Sequence, residues 1–173
     1  AVGGEIQEKA VLAPMLIASV GVVLSLIGIF LVRTKEGASM KELLGSLGKG
    51  TNISSLLVGI ATFGILYALN IENWLGLSFS VVVGLTAGVI IGQATEYYTS
   101  HTYSPTQMVA KSSETGPATV IISGLGLGMI STAIPVITIG AAIILSYLCA
   151  IGFDLELFFT AKGLSLGLYG IGI

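Results

Sequence analysis

The sequence predicts an all-α integral membrane protein, a polytopic bundle of transmembrane helices. Of the 173 residues, 54% are hydrophobic and only 9% are charged, and the mean hydropathy is +0.98. A soluble domain carries about 25% charged residues, so this composition excludes a water-soluble enzyme domain and a disordered segment. The formal net charge of −2 also gives no reason to expect nucleic-acid binding.

Uncharged intervals between clusters of charged residues predict four full spans and the start of a fifth. The first interval holds 23 uncharged positions, which make about 34 Å of helix and are enough to cross the hydrocarbon core. The predicted spans are residues 10–32, 53–71, 74–95, 118–150 and 158–173. Pro135 lies inside the fourth span, where its missing N–H predicts a kink.

The two ends of the sequence resemble the interior of a longer protein. The first span lacks the basic region of a signal peptide, and the last span is still apolar at Ile173. We therefore expect the chain to be an internal piece of a larger polytopic protein. A complete, tightly spaced five-helix protein is the alternative.

Basic residues in the connections predict the orientation of the helices, because Lys and Arg accumulate in short cytoplasmic loops. The connection between the second and third spans carries none. Placing residues 33–52 and 96–117 in the cytoplasm puts five of the seven basic residues inside. These five are Arg33, Lys35, Lys41, Lys49 and Lys111.

Small residues in two spans predict close helix packing. The third span carries Gly84, Gly88 and Gly92 at intervals of four, and the fourth carries Gly124 and Gly128. A glycine hinge is the alternative function for these positions. No ionisable residue lies inside the four full spans, so we expect them to be scaffold rather than ion-conducting helices.

The polar stretch at residues 93–119 (QATEYYTSHTYSPTQMVAKSSETGPAT) is longer than a simple connector requires. Long loops tend to carry function or assembly contacts. Its coupling or structural candidates are Glu96, Tyr97, Tyr98, Lys111 and Glu114. Residues 112–115 are expected to cap the start of the fourth span.

The chemistry-bearing residues of this stretch do not form a complete active centre. His101, the one histidine, fits a structural role or a metal contact. The sequence has neither HxxxH nor a phosphate-binding glycine loop, so no catalytic residue and no metal site is predicted. The single cysteine, Cys149, excludes a disulfide framework.

The motifs of this stretch resemble those of the membrane-bound inorganic pyrophosphatases, ion pumps that hydrolyse pyrophosphate. They are EYYTS at residues 96–100, YSP at residues 103–105 and ETGPAT at residues 114–119. Residues 11–37 resemble the family's seventh helix, and GLYGIGI at residues 167–173 resembles the opening of its eleventh. The resemblance therefore covers essentially the whole chain and is closest to the prokaryotic form.

The resemblance implies a homodimer of sixteen-helix subunits in the inner membrane, with catalytic acidic motifs on the cytoplasmic side. This chain would supply helices seven to ten and the start of the eleventh. The substrate would be pyrophosphate, the pumped ion H⁺ or Na⁺, and the cofactor Mg²⁺ bound by residues outside this segment. K⁺ is a second candidate cofactor.

The family's aspartate-rich motifs are absent from this sequence, so the resemblance implies a scaffold and coupling loop that is inactive in isolation. In the family the acid at Glu96 influences coupling, and a structural role is the alternative. This chain departs from the family pattern T-G-x-A-T-N, because Thr119 is followed by Val120 and not by Asn. A non-enzymatic membrane scaffold or transporter subunit is the alternative function.

Overall fold

The computed structural model describes residues 2–32, 37–71, 73–154, 156 and 158–173. Within these ranges the chain forms α-helices and no strand. The helices are α1 (Val2–Leu31), α2 (Met40–Ala68), α3 (Trp74–Thr99), α4 (Ser104–Ser112), α5 (Pro117–Ser131), α6 (Ala133–Ala150) and α7 (Ala161–Gly172). Arg33 and Lys35, which contributed to the predicted orientation, lie outside the described residues.

Four helical stretches of the described chain are long and apolar enough to cross a membrane, judged by length and composition. They are Glu8–Phe30, Met40–Ala68, Trp74–Ser112 and Pro117–Ala150. Many of their large apolar side chains are exposed on this chain, as expected where helices face lipid or other helices. The predicted class, an all-α polytopic membrane protein, is confirmed.

Helix α2 begins at Met40, well before residue 53, where the second span was predicted to start. A capping box explains the early start. The Ser39 side chain accepts a bond from the Glu42 backbone N–H, and the Glu42 side chain accepts one from the Ser39 N–H. The 29 residues of α2 measure about 44 Å, more than the ~30 Å hydrocarbon core requires. Residues 40–52, which the charge pattern assigned to a cytoplasmic loop, are helical and continuous with the second span.

The fourth predicted span consists of two helices, α5 and α6, which meet at Thr132. Thr132 keeps right-handed helical angles, with φ −79° and ψ −18°. Pro135 has no N–H to donate to the Ser131 carbonyl, so the ladder of helical hydrogen bonds loses one member here. The interruption expected from Pro135 therefore falls in the turn that precedes it.

The chain divides into two compact units, Ala1–Leu85 with Ile143–Ile173, and Thr86–Ala142. A small apolar core lies in the first unit, where α1, α2, α3 and α6 contribute buried side chains. Its members are Ala13, Ile17, Leu66, Leu77 and Ala150. Trp74 and Tyr169 are among the half-buried residues that pack against this core.

A proline in α1 creates a polar contact between α1 and α7. Pro14 lies inside α1 and cannot supply the N–H that would bond the Ala10 carbonyl. The Tyr169 hydroxyl, on α7, donates to that carbonyl at 2.8 Å. Because an unpaired carbonyl is costly in hydrocarbon, this bond completes the hydrogen bonding of α1 and ties α7 to it.

Glycines allow α1 and α2 to approach closely. A Cβ at Gly28 would collide with Ser54, and one at Gly50 would collide with Val32. A cavity of about 400 Å³ with mainly apolar walls lies beside this contact. The contact between α1 and α2 therefore depends on small residues that the predicted glycine faces did not include.

Candidate functional site

The polar stretch singled out in the sequence folds around a short helix in the second unit. Helix α3 ends at Thr99, α4 follows after a turn, and α5 starts at Pro117. The region expected to be a loop at residues 96–117 is thus partly helical. Pro105 and Pro117 lie in the first turns of α4 and α5, where a missing N–H is tolerated, and so help to set where each helix begins.

Three tyrosine rings lie together at the end of α3, and one of them contacts the Glu96 carboxylate. The ring centroids of Tyr97 and Tyr98 are 5.2 Å apart, and those of Tyr97 and Tyr103 are 5.3 Å apart. The Tyr103 hydroxyl donates to Oε1 of Glu96 at 3.4 Å. Glu96 lies in the last turn of α3, where the carbonyl end of a helix disfavours a negative charge. The phenol is a donor at long hydrogen-bond distance beside this half-buried residue.

Side-chain bonds to the backbone hold the turn between α3 and α4. The Thr106 hydroxyl donates to the Tyr98 carbonyl at 3.1 Å. The Gln107 side-chain amide lies 3.2 Å from the His101 carbonyl and 3.4 Å from the Thr102 carbonyl. These contacts fix the start of α4 against the end of α3, and so keep Tyr103 beside the carboxylate.

The chemistry available at this site is that of an oriented carboxylate. His101 is exposed, and the turn uses its backbone carbonyl rather than its ring. Across the part of the chain that the structure describes, no group of three or more His, Cys, Asp or Glu residues could hold a metal ion. The site can present a carboxylate and a phenol at a helix end, but it does not assemble a nucleophile with a base.

Lys111 and Glu114 lie at the C-terminal end of α4, and their side chains are exposed. A backbone hydrogen bond joins the two residues, in which the Glu114 N–H donates to the Lys111 carbonyl at 3.2 Å. The predicted cap of the fourth span is wrong, because α5 has Gly116 at its N-cap and no side-chain cap bond. The Ser112 and Ser113 hydroxyls turn back to carbonyls of α4 instead. Gly116, with φ +133°, makes the sharp turn that glycine tolerates.

Thr119 supplies the polar link at the start of α5. Its hydroxyl lies 2.8 Å from the Ser112 carbonyl and 2.7 Å from the Gly116 carbonyl. The one hydroxyl proton serves one of these acceptors at a time. Thr119 therefore ties the end of α4 to the start of α5, and Val120 adds no polar group where the resembling pattern has Asn.

The glycines predicted to mediate helix packing have open space beside them. Within its own unit, each of these positions could take a Cβ with no described atom within 4 Å. The positions are Gly84, Gly88, Gly92, Gly124 and Gly128. Their role in packing stays a prediction.

A buried junction that the sequence did not single out joins α3, α6 and α7 in the first unit. Ser80 and Ser146 are buried, and their hydroxyls contact each other. Each hydroxyl also lies within bonding distance of the Gly170 carbonyl, at 2.5 Å for Ser80 and 2.9 Å for Ser146. We call this group the serine junction. A Cβ at Gly170 would collide with Ala150, so glycine is what allows α7 to approach this closely.

Comparison with known proteins identifies similar sequences. A family model described as inorganic H⁺ pyrophosphatase matches residues 1–173. Over 96% of its length the chain is 60% identical to a protein of Bacteroides thetaiotaomicron that carries the name of a K(+)-stimulated pyrophosphate-energized sodium pump. A Clostridium tetani protein with the same name is 38% identical over the same share of the chain. A K(+)-insensitive pyrophosphate-energized proton pump of Caldanaerobacter subterraneus is 40% identical over 80% of the chain.

The matched relatives are much longer than this chain. It covers 22% of the Bacteroides protein, 23% of the Clostridium protein and 20% of the Caldanaerobacter protein. The chain therefore spans about a fifth of the length of the curated relatives it matches.

Proposed function

Because the chain belongs to the inorganic H⁺ pyrophosphatase family, we propose that it forms part of an inner-membrane pump that couples diphosphate hydrolysis to ion transport. The match of the family model to residues 1–173 carries this proposal, together with 60% identity to a relative named for pyrophosphate-energized transport. The four membrane-length helices support it. Since the chain spans about a fifth of such relatives, the activity is proposed for a longer protein that contains these residues.

Within that pump, these residues are the scaffold and a coupling element, without the catalytic carboxylates. The 173 residues contain no aspartate-rich motif, and the described ones include no group of three or more His, Cys, Asp or Glu residues that could hold a metal ion. When bound, Mg²⁺ would neutralise diphosphate and orient it for attack by water. We propose that carboxylates elsewhere in the protein bind it.

The coupling element is Glu96 with its phenol donor, Tyr103. The carboxylate lies at the end of a membrane-length helix, and its donor lies at the start of α4. A shift of α4 would lengthen the 3.4 Å contact and change how well the negative charge is stabilised. Through this contact, a movement of α4 would be felt at the end of α3.

The proposed ion is Na⁺, with stimulation by K⁺. The relatives that are 60% and 38% identical, each aligned over 96% of the chain, are both named as K(+)-stimulated sodium pumps. The 40% identical proton-pump relative aligns over 80% of the chain, and H⁺ is the alternative. Assembly as a homodimer stays a prediction from the resemblance.

Reconstitution of the full-length protein in liposomes tests the function. With Mg²⁺ and diphosphate outside, on the side of the cytoplasmic face, we expect phosphate release and uptake of ²²Na⁺, both raised by K⁺. A non-hydrolysable diphosphate analogue is the control and should support neither. Uptake of protons without uptake of ²²Na⁺ would show that the transported ion is H⁺ and not Na⁺. Absence of hydrolysis would favour a non-enzymatic scaffold.

The division of labour is tested separately with the isolated 173 residues. We expect neither hydrolysis nor tight binding of magnesium diphosphate, because the catalytic carboxylates are proposed to lie elsewhere. Hydrolysis by this piece at a rate comparable with the full-length protein would contradict the scaffold assignment, while leaving the pump assignment intact.

A further inference from the structure

One end of the first unit carries aromatic side chains on two neighbouring connections, and all of them except the half-buried Trp74 are exposed. Tyr67 and Trp74 flank the turn between α2 and α3, and their rings stack edge to face at 5.3 Å. Phe153 and Phe159 lie on the connection between α6 and α7, and they are 63% and 93% exposed. We call these four side chains the aromatic collar.

The two connections lie at the same level of the unit. The Asn73 side-chain amide, in the α2–α3 turn, donates to the Ala150 carbonyl at 2.5 Å. Three of the membrane-length stretches therefore have an end here, at Ala68, Trp74 and Ala150. A level at which several membrane helices end is the boundary between hydrocarbon and water.

The backbone at Phe153 is held in a conformation that bulky residues rarely adopt. Its φ is +60°, directly after Gly152 at φ +71°, whereas Gly or Asn usually occupies such a position at the end of a helix. The ring is mostly exposed, so packing within this unit does not explain why an aromatic residue occupies it. Strain that presents an exposed ring indicates a contact outside the unit.

We propose that Phe153 and Phe159 insert into the bilayer between the headgroups and the acyl chains, and anchor this end of the unit to lipid. Phe side chains enter the boundary between headgroups and acyl chains in segments whose polar side chains stay in water. The exposed carboxylates of Asp154 and Glu156, on the same connection, stay in water. Phe158 differs from its neighbours because it is half-buried and packs on Tyr147 at 5.0 Å. This inference does not depend on the proposed pump activity.

Spin labels on the full-length protein in liposomes test the proposal. In a version with its native cysteines replaced, Cys149 among them, labels are placed by Phe153→Cys and Phe159→Cys. Power-saturation measurements then compare collisions with oxygen, which dissolves in lipid, and with a water-soluble nickel chelate. Asp154→Cys and Glu156→Cys are the matched controls on the same connection.

We expect labels at 153 and 159 to favour oxygen over nickel, and the control labels to show the reverse order. Nickel accessibility at 153 and 159 equal to that of the controls would overturn the proposal, because the rings would then lie in water. Protection from both reagents would overturn it too, because the rings would then pack against protein. If Phe153→Cys does not assemble, Phe159→Cys decides alone, since its backbone has no positive φ.

Discussion

Replacing Tyr169 with Phe removes one hydroxyl and keeps the ring that packs against the core of the first unit. That hydroxyl is the donor to the Ala10 carbonyl at 2.8 Å. Pro14 deprives the same carbonyl of its usual helical partner. The substitution therefore leaves an acceptor unpaired in α1 rather than merely removing a redundant contact.

The size of the effect follows from this pairing. A side-chain bond inside a membrane stabilises by about 0.6 kcal/mol on average and at most about 1.7 kcal/mol, and leaving a buried partner unpaired costs about 1–3 kcal/mol. We expect Tyr169→Phe to lower the free energy of unfolding by about 1–2 kcal/mol. With Pro14→Ala in the background, the backbone supplies an N–H to the carbonyl, and the same change should cost about 0.5 kcal/mol or less.

Unfolding by SDS in bicelles, followed for the single and double variants, measures this double-mutant cycle. Tyr67→Phe is the control, because that side chain is 69% exposed and should leave stability unchanged. An equal cost of Tyr169→Phe in both backgrounds would refute the reasoning, since the cost would then not arise from the carbonyl that Pro14 frees.

Three further contacts can be tested by substitution. Gly170→Ala should destabilise by about 1–3 kcal/mol through overpacking, because its Cβ would collide with Ala150; an unchanged melting temperature would contradict this. Ser39→Ala removes the cap of α2 and should weaken protection of its first turn from hydrogen exchange by about 1 kcal/mol, and unchanged exchange there would refute the cap. Tyr103→Phe should lower the number of ions moved per diphosphate hydrolysed, while Tyr97→Phe, whose ring contacts remain, should not; equal stoichiometry in both would count against the coupling element.

Membrane helices were predictable from the sequence because charge is excluded from hydrocarbon, so uncharged runs mark them directly. The start of α2 was also readable, since Ser39 and Glu42 have the spacing of a capping box. The basic residues of the same region, Lys41 and Lys49, favoured a loop instead. Charged residues can therefore lie on a helix that is longer than the hydrocarbon core requires, as well as in a connection between helices.

Contacts between distant residues could not be predicted from local patterns. Pro14 reveals in the sequence that a carbonyl of α1 lacks its partner, but nothing near it identifies Tyr169 as the donor. Ser80 and Ser78 look equivalent in the sequence, yet Ser78 bonds its own helix while Ser80 contacts two others. The pairing of Glu96 with Tyr103 likewise depends on where α4 begins.

The helix glycines fall into two groups: some have close neighbours within their own unit, and others have none within 4 Å. At Gly28 and Gly170, close contacts within the first unit leave no room for a Cβ. These contacts offset the low helix propensity of glycine. Gly88 and Gly124 have no such contact within the second unit, although glycine inside a helix costs about 1 kcal/mol relative to alanine. Since the chain spans about a fifth of the length of its relatives, the compensating neighbours of the open glycines are expected among helices outside these 173 residues. The open faces are thus where these helices are predicted to meet the rest of the proposed pump.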